Sequence, residues 1–177
     1  MRKIVLTFGL IAGAILSAVM LATLPFHDQI GYDRGAVIGY TSMVLAFLLV
    51  YFGVRSYRDT VGGGTIAFGQ ALKVGLLIVL VATVCYVITW EVIYYGLAPE
   101  VGEEFSAYAL EEARRSGLTG AELEARTQEI IAFKAQYDKP LVNIAYTFLE
   151  PLPVGLVLAL VTAAITSRRP ARPAAQA

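Results

Sequence analysis

Two carboxylates stand where a carboxylate is costly. Glu91 follows Trp90 near the end of an apolar run over 71–95, and Glu150 lies inside a second run over 141–165. At ~1.5 Å of rise per helical residue, Glu150 is roughly 13 Å deep. An acid in hydrocarbon costs on the order of 2.5–3.5 kcal/mol on insertion scales, so it is paired, protonated or turned toward water. Placed in that way, it holds a proton or a cation. Both carboxylates fall in the same half of the bilayer on the topology below, so the sequence predicts that they can meet. Tyr86, Tyr146 and Thr147 are the neighbouring hydrogen-bond donors. Two carboxylates in contact do not both ionise easily, and one would keep its proton.

Glu150 also opens Glu-Pro-Leu-Pro-Val-Gly. Pro151 and Pro153 each lack an N–H and clash with the preceding turn, so the helix is expected to kink or break there. Glu150 would then begin a new half-helix, whose dipole favours an anion. Broken helices with a charge near the midplane form ion sites in transporters. The plainer reading is a proline kink whose freed carbonyls are bonded by neighbours, with Glu150 capping the break. Lys73 is 18 residues from Glu91, ~27 Å along a helix, so the two are not a pair. It reads as a side chain that snorkels to the headgroups. His27 has no second histidine for a metal site and reads as a surface residue. Cys85 is the single cysteine and sits in an apolar run, which fits a small core side chain. The stretch Gly62–Gln70 has the glycine spacing of a phosphate loop but lacks the Lys and Ser/Thr that bind phosphate and magnesium. It reads instead as a flexible connector, with Thr65 as a helix cap and Ile66 and Phe68 dipping into the headgroup boundary.

These residues need spans to position them. Apolar residues make up 57% of the 177, and 16 glycines add to them. A soluble chain of this length lacks the interior to hide so much apolar surface, whereas a bilayer is itself apolar solvent. About 20 apolar residues cross a hydrocarbon core, and four stretches qualify: 4–24, 35–54, 71–95 and 141–165. None alternates as a barrel strand does. Arg2 and Lys3 could open a signal peptide, but the run after them is longer than an h-region, and no small-x-small site follows it. A retained helix is expected. Arg2, Lys3, Arg55, Arg58, Lys73, Arg168, Arg169 and Arg172 would share one side, which places both ends in the cytoplasm of an inner-membrane protein.

The predicted fold is therefore all-α: a polytopic membrane protein, a bundle of four transmembrane helices over a single membrane domain, 1–167. An extracytoplasmic helical hairpin at 100–138 joins the third and fourth spans. Nine of the 14 acidic residues lie in that hairpin. Gly117 marks the stop between its helices, and Thr119-Gly-Ala-Glu122 reads as a capping box. Leu123, Ile130, Phe133 and Tyr137 fall near one face, which is expected to pack within the hairpin or on the membrane end. Residues 168–177 read as a disordered basic cytoplasmic tail near anionic lipid. Small residues recur at every fourth position: Gly9, Gly13 and Ser17; Gly35 and Gly39; Gly155, Ala159 and Ala163. Such stripes let helix backbones approach closely. Packing within the chain is expected ahead of pairing two copies.

Several stretches occur together and in order: Met1–Gly13, Gly39-Tyr-Thr-Ser-Met43, Gly53–Asp59, Ile66–Ala71, Thr89-Trp-Glu91 and Phe148–Gly155. In these the chain resembles a bacterial membrane family known as domain of unknown function 4199, over almost its whole length. The resemblance implies a multi-span bacterial membrane protein and carries over no catalytic residue. No Ser-His, HExxH or Asp-rich pattern supports an enzyme, and nothing calls for a cofactor or metal. The expected role is a non-enzymatic structural or interaction protein of the inner membrane. The alternative is a small oligomeric carrier coupled to protons or cations through Glu91 and Glu150. The expected partners are the lipid bilayer and a second copy or another membrane protein, not nucleic acid.

Overall fold

A computed structural model describes residues 1–167, which are all-α. The helices are α1 (Arg2–Thr23), α2 (His27–Thr60), α3 (Phe68–Val92), α4 (Val101–Arg115), α5 (Gly120–Tyr137), α6 (Pro140–Leu149) and α7 (Leu152–Thr166). A 3₁₀ turn at Leu24–Phe26 joins α1 to α2, and a π-helical turn at Ile93–Leu97 extends α3. Helical geometry continues almost unbroken from Arg2 to Thr60, yet the chain reverses inside that run. Pro25 in the 3₁₀ turn and Gly31, at φ +71°, make the reversal. The left-handed region is open to glycine at little cost. Three helical stretches are long and apolar enough to cross a membrane: Arg2–Thr60, Phe68–Leu97 and Pro140–Thr166.

Contacts along α1 and α3 fix their relative direction. A Cβ at Gly9 would stand 2.6 Å from Val81 Cβ, and one at Gly13 would stand 2.6 Å from Cys85 Cβ. One turn further, Ser17 Oγ and Thr89 Oγ1 share a hydrogen bond of 2.7 Å. Both helices advance by four residues at each step, so they run parallel, and the small residues of α1 let the backbones close on each other. On the other side of α3, Gly75 meets Ala159 and Gly155 meets Val79, a descending register that sets α7 antiparallel. Helix α2 closes the bundle, with Gly53 against Phe8 and Ile78 and with Met43, Phe47, Val50 and Val54 buried. The outward faces carry Leu10, Leu45, Phe52, Ile88, Val157 and Val161, all at least 48% exposed. A skirt of that size on all sides suits lipid and would be a liability in water.

Helices α4 and α5 form a hairpin, with Ala113 and Ile130 buried and Gly117 turning the chain at φ +85°. Glu103 and Glu104 start α4, and Arg114 and Arg115 end it, which complements the helix dipole. Three local readings need correction. Thr119 holds the N-cap position of α5, but its hydroxyl caps nothing. Gly120, at φ +57°, turns the first peptide away from it. Helix α3 is preceded by Ala67, not Thr65, whose hydroxyl instead reaches back toward the Gly62 carbonyl at 3.5 Å. Gly35 and Gly39 do not pack helices, since nothing lies within 4 Å of where their Cβ atoms would be. The tail 168–177 lies outside the described residues.

Candidate functional site

One face of α3 carries Tyr86, Trp90 and Tyr94, four residues apart and therefore stacked along the helix. Each donates a hydrogen bond to the segment running from the end of α5 into α7. Tyr86 O–H donates to Glu150 Oε2 at 2.9 Å, and Trp90 Nε1–H to the Tyr137 hydroxyl at 3.1 Å. Tyr94 O–H donates to Asp138 Oδ1 at 2.6 Å. The π-helical turn packs one extra residue into its circuit, and Tyr95 O–H then reaches the Asp138 carbonyl at 3.1 Å. A ladder of aromatic donors thus pins the hairpin's exit and the broken helix to α3.

The middle rung continues inward. Thr147 Oγ1 donates to Asn143 Oδ1 at 3.2 Å, which uses its proton. The 3.3 Å contact between Tyr137 and Thr147 therefore has the phenol as donor. The order Trp90, Tyr137, Thr147, Asn143 leaves each hydroxyl both donating and accepting, as buried polar groups require. Burial pushes the Tyr137 phenol up, against the pull of its bonds to Thr147 and Trp90, so it stays a neutral donor. On the lowest rung, the Lys134 ammonium at 2.8 Å and then the Tyr94 hydroxyl hold the Asp138 carboxyl below its usual range.

The break expected in the last span is present. Glu150 and Pro151 separate α6 from α7, but both keep right-handed helical angles, so the chain kinks without unwinding. The N–H of Gly155 already bonds the Pro151 carbonyl at 2.9 Å. Glu150 does not cap α7, contrary to the cap expected of it. Its carboxylate goes sideways to Tyr86 instead, and its Oε1 accepts no bond among the described residues.

The two glutamates are not brought together. No hydrogen bond joins Glu91 to Glu150 among the described residues, and Glu91 Oε1 is buried without a partner. The reason is angular. Five residues from Tyr86 to Glu91 turn a helix by about 500°, which points Glu91 roughly 140° away from the face that meets Glu150. Tyr94 and Asp138 are members of the site that the sequence reading did not single out, and Tyr137 enters that reading only as part of the hairpin's packing face. The 86, 90, 94 spacing of aromatic side chains was the available signal.

Above the ladder lies a cavity of about 500 Å³, a size typical of small-molecule sites. Its walls come from the ends of α1 and α3, the start of α2, and both hairpin helices. Met20, Gly39, Tyr86, Trp90, Phe105 and Glu150 all line it. Gly35 and Gly39 therefore serve as wall rather than as helix seam. His27 also reaches this wall and is less solitary than its sequence position implies. It is 28% exposed, with Nδ1 3.5 Å from Asp28 Oδ1 and 3.6 Å from Glu104 Oε2 of the hairpin. Tyr108 O–H donates to Asp33 Oδ1 at 2.8 Å beside it. The hairpin is thereby tied to the start of α2 as well as to α3.

The family whose model matches residues 7–168 is described as Protein of unknown function (DUF4199), and the chain belongs to that family. No curated protein and no solved structure matches the chain.

Proposed function

We propose that this member of the DUF4199 family is a four-span inner-membrane protein that works by binding a small molecule in the cavity beside Glu150. The cavity carries the reading. It is sized for a ligand, lined mainly by apolar and aromatic side chains, and holds a single fixed carboxylate. The hairpin spends its polar contacts on its own bundle, through Tyr137, Asp138, Glu104 and Tyr108, so a partner-docking role has less support. Catalysis is not part of the proposal, because the carboxylate in the cavity has a phenol beside it rather than a nucleophile with its base.

Binding is tested by filling the space. Gly39 lines the cavity with nothing within 4 Å of where its Cβ would stand, so Gly39→Phe puts a ring into that space. A brominated long-chain alcohol should quench Trp90, the single tryptophan, saturably in the wild type. Affinity should fall about tenfold in Gly39→Phe, a loss of ~1.4 kcal/mol. Equal affinity in both proteins would sink the binding reading.

The bundle reverses direction between α1, α2, α3 and α6–α7, which supports four crossings with the two described ends on one side. Arg2, Lys3, Arg55, Arg58 and Lys73 collect at that end and favour the cytoplasm. In a Cys85→Ala background, Ser116→Cys in the hairpin turn should react with an impermeant thiol reagent on intact spheroplasts. Thr65→Cys should react only after lysis. The reverse pattern would invert the topology.

A further inference from the structure

The charges around the cavity are unequal in their freedom. Three ionisable side chains with a charged form near neutral pH line it: His27, Lys134 and Glu150. Lys134 is committed to Asp138 at 2.8 Å, and His27 faces Asp28 and Glu104. Of the three, Glu150 alone has no oppositely charged side chain paired with it among the described residues. Tyr86 is bonded to it, and the rings of Trp90, Tyr94, Tyr137, Tyr40 and Phe105 line the same cavity. Aromatic faces attract a cation within about 6 Å of the ring centroid, most strongly where water is excluded. A metal ion fits poorly at Glu150, because calcium takes 6–8 oxygen ligands and zinc about four donors, where this lining offers one carboxylate. An anion at this end of the cavity would meet the Glu150 carboxylate, and like charges repel. A primary amine would need acceptors for three N–H groups, where Glu150 offers one free oxygen. A quaternary ammonium needs none, and its apolar substituents suit the rest of the wall.

We infer that the cavity takes an apolar quaternary ammonium ion, its positive centre held against Glu150 and the aromatic faces of α3 and α5. This rests on the reading of the cavity as a binding site and names the class of ligand. Tyr86 acts as a positioning residue, because its hydroxyl fixes the carboxylate at the wall.

The test uses the full chain in lipid nanodiscs, with Trp90 emission as the signal. Two probes share one brominated alkyl chain: one ends in trimethylammonium and the other in a hydroxyl. The ammonium is expected to bind at least tenfold more tightly. Glu150→Gln should remove that advantage while the alcohol still quenches saturably, which also shows that the variant is folded. Glu150→Asp should retain most of the preference. If the two probes bind the wild type equally, the charge assignment is overturned while the cavity stands. If neither quenches saturably, or if Gly39→Phe quenches as the wild type does, the binding reading itself fails. A preference that survives in Glu150→Gln assigns the cation to the rings alone and overturns the role of Glu150.

Discussion

Gly13→Leu is expected to force α1 off α3 and to cost on the order of 3 kcal/mol, the upper part of the range for overpacking. Even one added carbon would stand 2.6 Å from Cys85 Cβ and 2.8 Å from its sulfur, with Ala82 Cα at 3.4 Å. The neighbour is the root of a side chain on a long helix, not a flexible tip, so the backbones must separate. Separation also opens the seam above and below, at Gly9 against Val81 and Ser17 against Thr89. Without a hydrophobic drive between helices in lipid, close packing of this kind is what holds them together. Equilibrium unfolding in mixed micelles measures the loss. The contrast within the same sequence pattern is the sharper part. Gly39→Ala meets nothing within 4 Å and sits inside α2. It should stabilise by about 0.5–1 kcal/mol, through the helix propensity of alanine over glycine. Opposite signs at two glycines of the same apparent stripe are expected, and equal destabilisation at both would refute the assignment of Gly39 to the cavity wall.

That contrast shows what the chain discloses by itself. Spacing identified the stripe at Gly9, Gly13 and Ser17, because a helix seam in lipid needs small residues on one face. It did not identify Val81, Cys85 and Thr89 as the other side, since the choice of partner helix is made by packing of the whole bundle. The same four-residue period at Gly35 and Gly39 lines a cavity, and period alone does not distinguish an occupied face from an empty one. The break at Glu150-Pro151 was legible because two missing N–H groups act locally. The partner of Glu150 was legible only in part: Tyr86 stood among three candidate donors with Tyr146 and Thr147, but the acid expected beside it, Glu91, lies on the wrong side of α3. Glu104 beside His27 is hidden in the same manner, on a hairpin helix that meets α2 only in the fold. Thr119-Gly-Ala-Glu122 failed for a local reason: the glycine takes a left-handed angle that the capping geometry does not use. Residue types thus disclosed elements and breaks, while the ladder required knowing which faces meet.

Tyr137→Ala is expected to undock the hairpin while leaving the bundle folded. The ring packs against Tyr94 at 5.5 Å, Phe133 at 5.7 Å and Tyr146 at 6.1 Å, and its hydroxyl joins Trp90 to Thr147. Removing a large aromatic side chain from packed surroundings costs on the order of 3 kcal/mol. The loss falls mainly on the interface between α5 and α3, where the other polar ties are Asp138 to Tyr94 and Tyr95. An exposed ion pair such as Lys134 with Asp138 adds little to hold it. Trp90 reports the change directly, because its indole N–H loses its acceptor and its ring gains water, so its emission should move to the red. Trypsin should then cut at Arg114, Arg115 or Arg126 faster than in the wild type, as expected for a region of low local stability. Tyr137→Phe separates ring from hydroxyl. It leaves Trp90 N–H and Thr147 short of a partner at about 1–2 kcal/mol, and it should shift the emission less and leave proteolysis nearly unchanged. Because Trp90 and Tyr137 also line the cavity, docking of the hairpin and closure of the cavity are one event. A bound ligand should therefore slow the tryptic cut in the wild type and lose that protection in Tyr137→Ala. Unaltered emission and unaltered cutting in Tyr137→Ala would show that the hairpin is held elsewhere, and the ladder would then be a consequence of docking rather than its cause.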